Sequence, residues 1–270
     1  MIPAPFEYEL ATSAGHALDL LAEHGDEAKL LAGGHSLLPM MKLRLAVPSV
    51  LIDIGQLTEL SGIVIDADDL VIGATTRHAD VAGSELVRAE APLLAWSAGQ
   101  VGDPQIRHRG TIGGSLAHAD PAADLPLALT ALGGSMELTG PAGNRTVPVD
   151  DFFVGYFETA MEPDEMLTAV RIPRRPDEPW GYQKFTRRAN DWAIVGVAAV
   201  AGRVALANMG STPLRASAVE EALASGAAVA EAAVLAAEGT EPGEDIHADQ
   251  EYRQHLARVL TERALQHQTG

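Results

Sequence analysis

The chain has no cysteine anywhere in its 270 residues. Disulfides, thiolate-ligated iron–sulfur clusters and a cysteine nucleophile are therefore excluded from it. Any redox chemistry must rest on an organic cofactor or on a partner. Basic residues are also scarce, with 19 Lys and Arg against 37 Asp and Glu and a formal charge of −18. Binding nucleic acid through phosphate neutralisation needs a basic face, so that class is not expected. The longest small-apolar run, residues 193–202, is about half the ~20 residues a spanning helix requires, and no transmembrane segment is expected. The stretch from Met1 to Glu7 shows no basic region followed by an apolar one. A signal peptide is thus not expected, and cytoplasm is the default location. The dinucleotide fingerprint GxGxxG and the Walker lysine loop are missing as well.

What remains is an ordinary globular composition, 47% hydrophobic and 21% charged. The length exceeds what one core usually organises, so two domains are expected. Alternation predicts an entry strand over 4–12, and Ser13 caps a helix running to His24 with Gly25 as its stop. A strand over 29–32 leads into Gly33-Gly34-His35-Ser36, then a helix over 37–45 and a strand over 50–54. Paired strands follow at 62–65 and 69–74, then a broken helical stretch over 76–109 and a helix over 121–132. A hairpin at 136–139 and 145–149, an aromatic-rich loop at 150–156 and a strand over 166–172 complete the first part. The charged, proline-bearing segment 174–179 reads as a linker. Strands at 180–187, 194–200 and 204–208 and helices at 214–224, 227–238 and 252–267 form a smaller second part. The expected division is 1–176 and 177–270.

Two glycine pairs stand out. Ala32-Gly33-Gly34-His35-Ser36-Leu37 and Gly110-Thr111-Ile112-Gly113-Gly114-Ser115 both run into a helix. Without Cβ atoms, such turns let the backbone approach a ligand closely, and successive amides can cradle an anion at a helix N-terminus. Two such turns suggest one pyrophosphate held from both sides. A third pair, Gly133-Gly134-Ser135, ends a helix and reads as a stop signal. His118, Asp120 and Asp124 lack a second cluster to complete a metal shell, so no metal site is assigned. Asp124 reads either as an acceptor for a ribose hydroxyl or as a first-turn acid favoured by the helix dipole. Ser36, His35 and Asp53 have triad composition without a nucleophile elbow, and no catalytic residue is assigned. Lys184 reads as a solvated strand lysine, and Asp191-Trp192 as packing or a ring-stacking platform.

At these residues the chain resembles the FAD-binding (medium) subunits of the molybdenum hydroxylase and xanthine dehydrogenase family, most of all the aerobic carbon monoxide dehydrogenase branch. The likeness rests on Ala32-Gly33-Gly34-His35-Ser36-Leu37-Leu38-Pro39 and on Thr111-Ile112-Gly113-Gly114-Ser115 with Asp120-Pro121-Ala122-Ala123-Asp124. Gln105-Ile106-Arg107, Tyr182-Gln183-Lys184-Phe185 with Arg188, Asp191-Trp192-Ala193 and the stretch 252–260 extend it over essentially the whole chain.

The resemblance implies an α+β fold: a PCMH/vanillyl-alcohol-oxidase-type FAD-binding domain of two α+β subdomains, about 1–56 and 57–176. A small C-terminal domain with a three-stranded antiparallel sheet and helices follows. It implies that Ala32, Gly33, Gly34, His35, Ser36 and Leu37, with Thr111, Gly113, Gly114, Ser115 and Ala117, hold the FAD pyrophosphate region. Asp120 and Asp124 belong to the same implied cofactor set, Asp124 on the ribose. Val101 and Leu167 would line the ring pockets, and Lys184 and Trp192 would lie near the flavin. The implied partners are a small subunit with two [2Fe–2S] clusters and a large subunit with the molybdenum cofactor, as a dimer of heterotrimers. This chain would take electrons one at a time from a cluster and release them to an external acceptor. Substrates of such complexes include carbon monoxide, N-heterocycles such as nicotine derivatives or purines, and aldehydes. Peripheral attachment to the inner face of the membrane through the complex is compatible with a cytoplasmic location. The rival readings are a stand-alone FAD oxidase of the vanillyl-alcohol-oxidase class and a non-enzymatic assembly protein that keeps the fold.

Overall fold

A computed structural model describes residues 2–268. The first layer is built from a short parallel sheet. Strands β1 (Glu7–Leu10), β2 (Ala28–Leu31) and β3 (Val50–Asp53) pair in the order β1-β3-β2. Helix α1 (Ala14–His24) crosses from β1 to β2, capped by the Ser13 hydroxyl accepting from the His16 amide. It buries Ala17, Leu20 and Leu21 against Val50 and Ile52 of the sheet. Helix α2 (Leu37–Lys42) follows the first glycine turn.

The second layer is an antiparallel sheet in the order β4-β5-β10-β6-β7, comprising Ile63–Asp66, Asp69–Gly73, Met166–Pro173, Ser135–Gly140 and Gly143–Pro148. The helical stretch before the second glycine turn is split into α3 (His78–Gly83), α4 (Glu85–Glu90), α5 (Pro92–Gln100) and α6 (Pro104–Arg107). Ser84, Pro92 and Pro104 sit at those breaks, since serine caps and proline is tolerated only in a first turn. Helices α7 (Ile112–His118) and α8 (Asp124–Leu132) come next. The 121–132 helix begins at Asp124, because Asp120 Oδ1 accepts from the Ala122 amide and holds residues 120–122 as a turn. Gly133 terminates α8 in the left-handed region, φ 73°, which confirms the third glycine pair as a stop. The aromatic-rich stretch 150–156 is ordered into α9 (Val149–Phe152) and β8 (Phe153–Gly155), which pairs with β9 (Glu158–Thr159).

The C-terminal part corrects one expectation. Its antiparallel sheet has four strands: β11 (Trp180–Phe185), β12 (Val195–Val200), β13 (Arg203–Ala207) and β14 (Leu214–Arg215). The fourth is two residues long and pairs with Ala205 and Leu206, too short to leave a periodic signal. The helix expected over 214–224 accordingly starts later, as α10 (Ser217–Ala224). The 227–238 helix is a short α11 (Val229–Ala233) followed by a 3-10 turn, and α12 (Gln250–Gln266) closes the chain.

Helix α8 is the spine of the molecule. Every one of its residues is buried, which fits its continuous apolar sequence. It packs on α5 on one side and on β12 and β13 on the other. Alternation along those strands sends Ala198, Val200, Ala205 and Ala207 toward the α8 core. Val195, Val197, Ala199, Val204 and Leu206 face a second core under α12. Gly181 of β11 lets α12 sit directly on the sheet, for a Cβ there would lie 1.9 Å from the Ala264 carbonyl oxygen.

Candidate functional site

The two glycine turns meet. A Cβ on Gly33 would lie 2.3 Å from the Arg109 carbonyl oxygen and 2.7 Å from the Gly110 α-carbon. Glycine at 33 is thus required by contact between the turns themselves. The second turn is held from behind by the segment after β5. Ile112 donates to the Thr76 carbonyl at 2.9 Å, Gly113 to Ala74 at 2.9 Å, and the His78 amide to Gly110 at 3.0 Å. A Cβ on Gly113 would strike Ala74, 2.5 Å from its Cβ.

The turns differ in what they offer. The amides of Gly33, Gly34, His35 and Ser36 make no hydrogen bond within the described residues. Unpaired amides gathered in a glycine turn, with Gly34 at φ 77°, form an anion cradle. In the second turn the four amides from Ile112 to Ser115 are all in use. The Gly114 amide is capped by Thr111 Oγ1 at 3.2 Å and the Ser115 amide by the Thr111 carbonyl at 3.0 Å. That side offers the Thr111 and Ser115 hydroxyls and the N-terminus of α7. Gly114 has nearest to its missing Cβ the Thr111 Oγ1, at 2.8 Å, so its glycine protects the cap of α7.

Both turns open into one cavity of about 760 Å³. Its walls include Ala32, Gly33, Gly34, His35, Ser36 and Leu37 from the first turn, and Thr111, Gly113, Gly114, Ser115 and Ala117 from the second. Val101, Asp124, Leu167, Lys184 and Trp192 also line it. Asp120 is not among its walls. Its carboxylate is turned into its own loop toward the Ala122 amide, and burial raises its pKa above the usual aspartate range.

Asp124 is 3% exposed and lies between the two parts of the chain. Tyr182 donates its hydroxyl to Oδ1, and Lys184 Nζ stands 3.0 Å from Oδ2 and 2.9 Å from Oδ1. Burial, then the facing carboxylate, pushes the Tyr182 phenol well above its ordinary value. Lys184 is therefore a buried ion-pair partner, correcting the reading of a solvated strand lysine. A carboxylate has about four acceptor positions, so Asp124 keeps room for a ligand hydroxyl beside these contacts. Trp192, 56% exposed, stands at the cavity rim. Phe157 faces it from the β8–β9 hairpin, its ring 5.0 Å from the His118 imidazole. Sequence reading assigned no site role to Phe157, Tyr182 or His78; Tyr182 appeared only in the stretch around Lys184 that carries the likeness. Among the described residues no cluster of three or more His, Asp or Glu could hold a metal ion.

Free amides at one turn, hydroxyls at the other, a buried acid and apolar walls from Val101 and Leu167 fit an extended dinucleotide. The fold and this cleft define the class, an α+β cofactor-binding protein with its site between a glycine-turn body and a C-terminal sheet. Residues 4–175 match the family model for the FAD binding domain in molybdopterin dehydrogenase. Residues 180–268 match that for the CO dehydrogenase flavoprotein C-terminal domain. The chain belongs to the FAD-binding medium-subunit family of the molybdenum hydroxylases. It is 43% identical to the carbon monoxide dehydrogenase medium chain of Hydrogenophaga pseudoflava, covering 98% of this chain and 97% of that one. It is 37% identical to a subunit of the 6-hydroxypseudooxynicotine dehydrogenase complex of Paenarthrobacter nicotinovorans, covering 98% and 95%. A solved Hydrogenophaga pseudoflava carbon monoxide dehydrogenase lacking the Mo-pyranopterin moiety superposes with a TM-score of 0.95 at 45% identity, covering 98% of each chain. The chain is thus an oxidoreductase subunit whose cofactor is FAD. No helix among the described residues is long and apolar enough to cross a membrane.

Proposed function

We propose that this chain carries FAD between an iron–sulfur subunit and an external electron acceptor in a carbon monoxide dehydrogenase-type complex. The observation that carries the reading is the single cavity walled by both glycine turns, with four unpaired amides on the first. Residues 32–37 bind the diphosphate from one side, and Thr111, Gly113, Gly114, Ser115 and Ala117 close the other. Asp124, kept in place by Tyr182 and Lys184, accepts a hydroxyl of the cofactor's sugar portion. Val101 and Leu167 exclude water from the rings, and Lys184 and Trp192 flank the flavin. When bound, FAD supplies the electron-accepting chemistry that a chain without cysteine lacks. The division into 1–176 and 177–270, assembly as a dimer of heterotrimers and a cytoplasmic location belong to the same proposal. Carbon monoxide leads as substrate of the complex on the strength of sequence identity; N-heterocycles and aldehydes are the alternatives, and the substrate pocket lies on another chain.

Purification of the tagged chain from its native host tests this. Two companions are expected: a small iron-bearing chain rich in cysteine and a large chain carrying molybdenum. Recovery of the chain alone, with FAD and with oxidase activity of its own, would favour the stand-alone oxidase instead.

A further inference from the structure

The second glycine turn presents a chemical gap, because every amide from Ile112 to Ser115 already donates within the chain. From that turn an anion can draw only on the Thr111 amide and the Thr111 and Ser115 hydroxyls, and a further donor would strengthen the grip. Behind it stands His78, the first residue of α3, only 4% exposed. A Cβ on Gly110 would lie 2.7 Å from His78 Cδ2 and 2.8 Å from Nε2. The Cδ2–Nε2 edge of the ring is thus laid against the Gly110 α-carbon, whose other side meets Gly33. Gly110 is sandwiched between the first turn and the imidazole. His78 and Gly110 both line the cavity.

The ring's other nitrogen, Nδ1, is buried with no hydrogen-bond partner. Burial above all, then the positive fields of His35 and Arg107, lowers the His78 pKa to about 4, so the ring is neutral near pH 7. A neutral imidazole has one N–H. Placed on Nδ1, that hydrogen would be a buried orphan donor, the rarest and most costly kind of unsatisfied group. Placed on Nε2, it faces the turn and leaves only a bare lone pair inside. Hydrogen-bond logic therefore assigns the Nε2–H tautomer. Arg107 is not among the residues that line the cavity, and its Nη1 donates to the Val101 and Gly102 carbonyls at 3.0 Å each.

We propose that His78 is a third arm of the cofactor site, donating from Nε2 to the diphosphate on the side where the amides of Ile112 to Ser115 are already in use. The proposal rests on the FAD reading above and names a binding residue for it. A neutral donor suits this place. A cation buried there beside Arg107 would be unpaired whenever the site is empty.

The test uses the assembled complex stripped of flavin, titrated with FAD and with ADP and adenosine as competitors. Wild type is expected to bind ADP more tightly than adenosine, since only ADP carries the diphosphate. His78→Phe keeps a flat ring against Gly110 but has no N–H. It should weaken FAD and ADP by about tenfold, leaving adenosine affinity and melting temperature unchanged. His78→Gln, which keeps a neutral N–H donor, should retain most of the preference for ADP. Wild-type affinities in the Phe variant, or equal losses of ADP and adenosine, would overturn the proposal. Should the Phe variant fail to assemble, the Gln variant decides: a kept ADP preference supports the donor, and its loss at unchanged melting temperature refutes it. A wild-type complex indifferent to FAD and ADP overturns the flavin reading itself, and this proposal with it.

Discussion

Asp124 is the residue on which binding and folding are most tightly joined. Its carboxylate is buried against Lys184 and Tyr182, with side-chain exposures of 2% for Asp124 and 9% for Lys184. Removing one member of a buried pair leaves the other charge uncompensated, which typically costs about 3–5 kcal/mol. Asp124→Ala should therefore lower stability in urea unfolding by that order and abolish flavin retention as well. The double variant Asp124→Leu with Lys184→Met removes both charges and replaces them with apolar volume. It should recover much of the stability while remaining unable to hold FAD. Recovery of both properties would mean that the carboxylate serves the fold alone. From the sequence, Asp124 could be read either as an acceptor for a sugar hydroxyl or as a first-turn acid of its helix. Its two protein partners were not legible, because Tyr182 and Lys184 lie far along the chain and no local pattern links them.

At the scale of elements, the two glycine turns were legible because paired glycines before a helix have few other uses. That they touch was not legible, since the contact of Gly33 with Arg109 and Gly110 joins distant segments. Nor was the inequality between them, which depends on where Ala74 and Thr76 place their carbonyls. The same limit applies to the β4-β5-β10-β6-β7 order, in which β10 enters between strands made far earlier. Gly33→Ala should force the turns apart and release FAD, because its Cβ has no room beside the Arg109 carbonyl. Gly83→Ala is the matched control, in α3 with nothing within 4 Å of the new Cβ. It should retain FAD and gain up to about 1 kcal/mol from helix propensity. Equal flavin retention in the two variants would show that the contact between turns is dispensable.

The whole molecule is organised around α8, which joins a glycine-turn body to a C-terminal sheet and begins at Asp124. The sequence reading expected a helix over 121–132 but not its burial; its place between two cores follows from the alternation in β12 and β13. The missing cysteines acquire a meaning at this scale. In the proposed function the chain holds its flavin by backbone amides, hydroxyls and one buried acid, and other chains supply metal and clusters. The central claim is that the chain binds FAD in the cavity between its two glycine turns. The direct measurement is to denature the purified complex and identify the released cofactor by chromatography and mass spectrometry, for wild type and Gly33→Ala. Stoichiometric FAD from wild type and little from the variant is the predicted result. No flavin, FMN in place of FAD, or undiminished FAD in Gly33→Ala would contradict it.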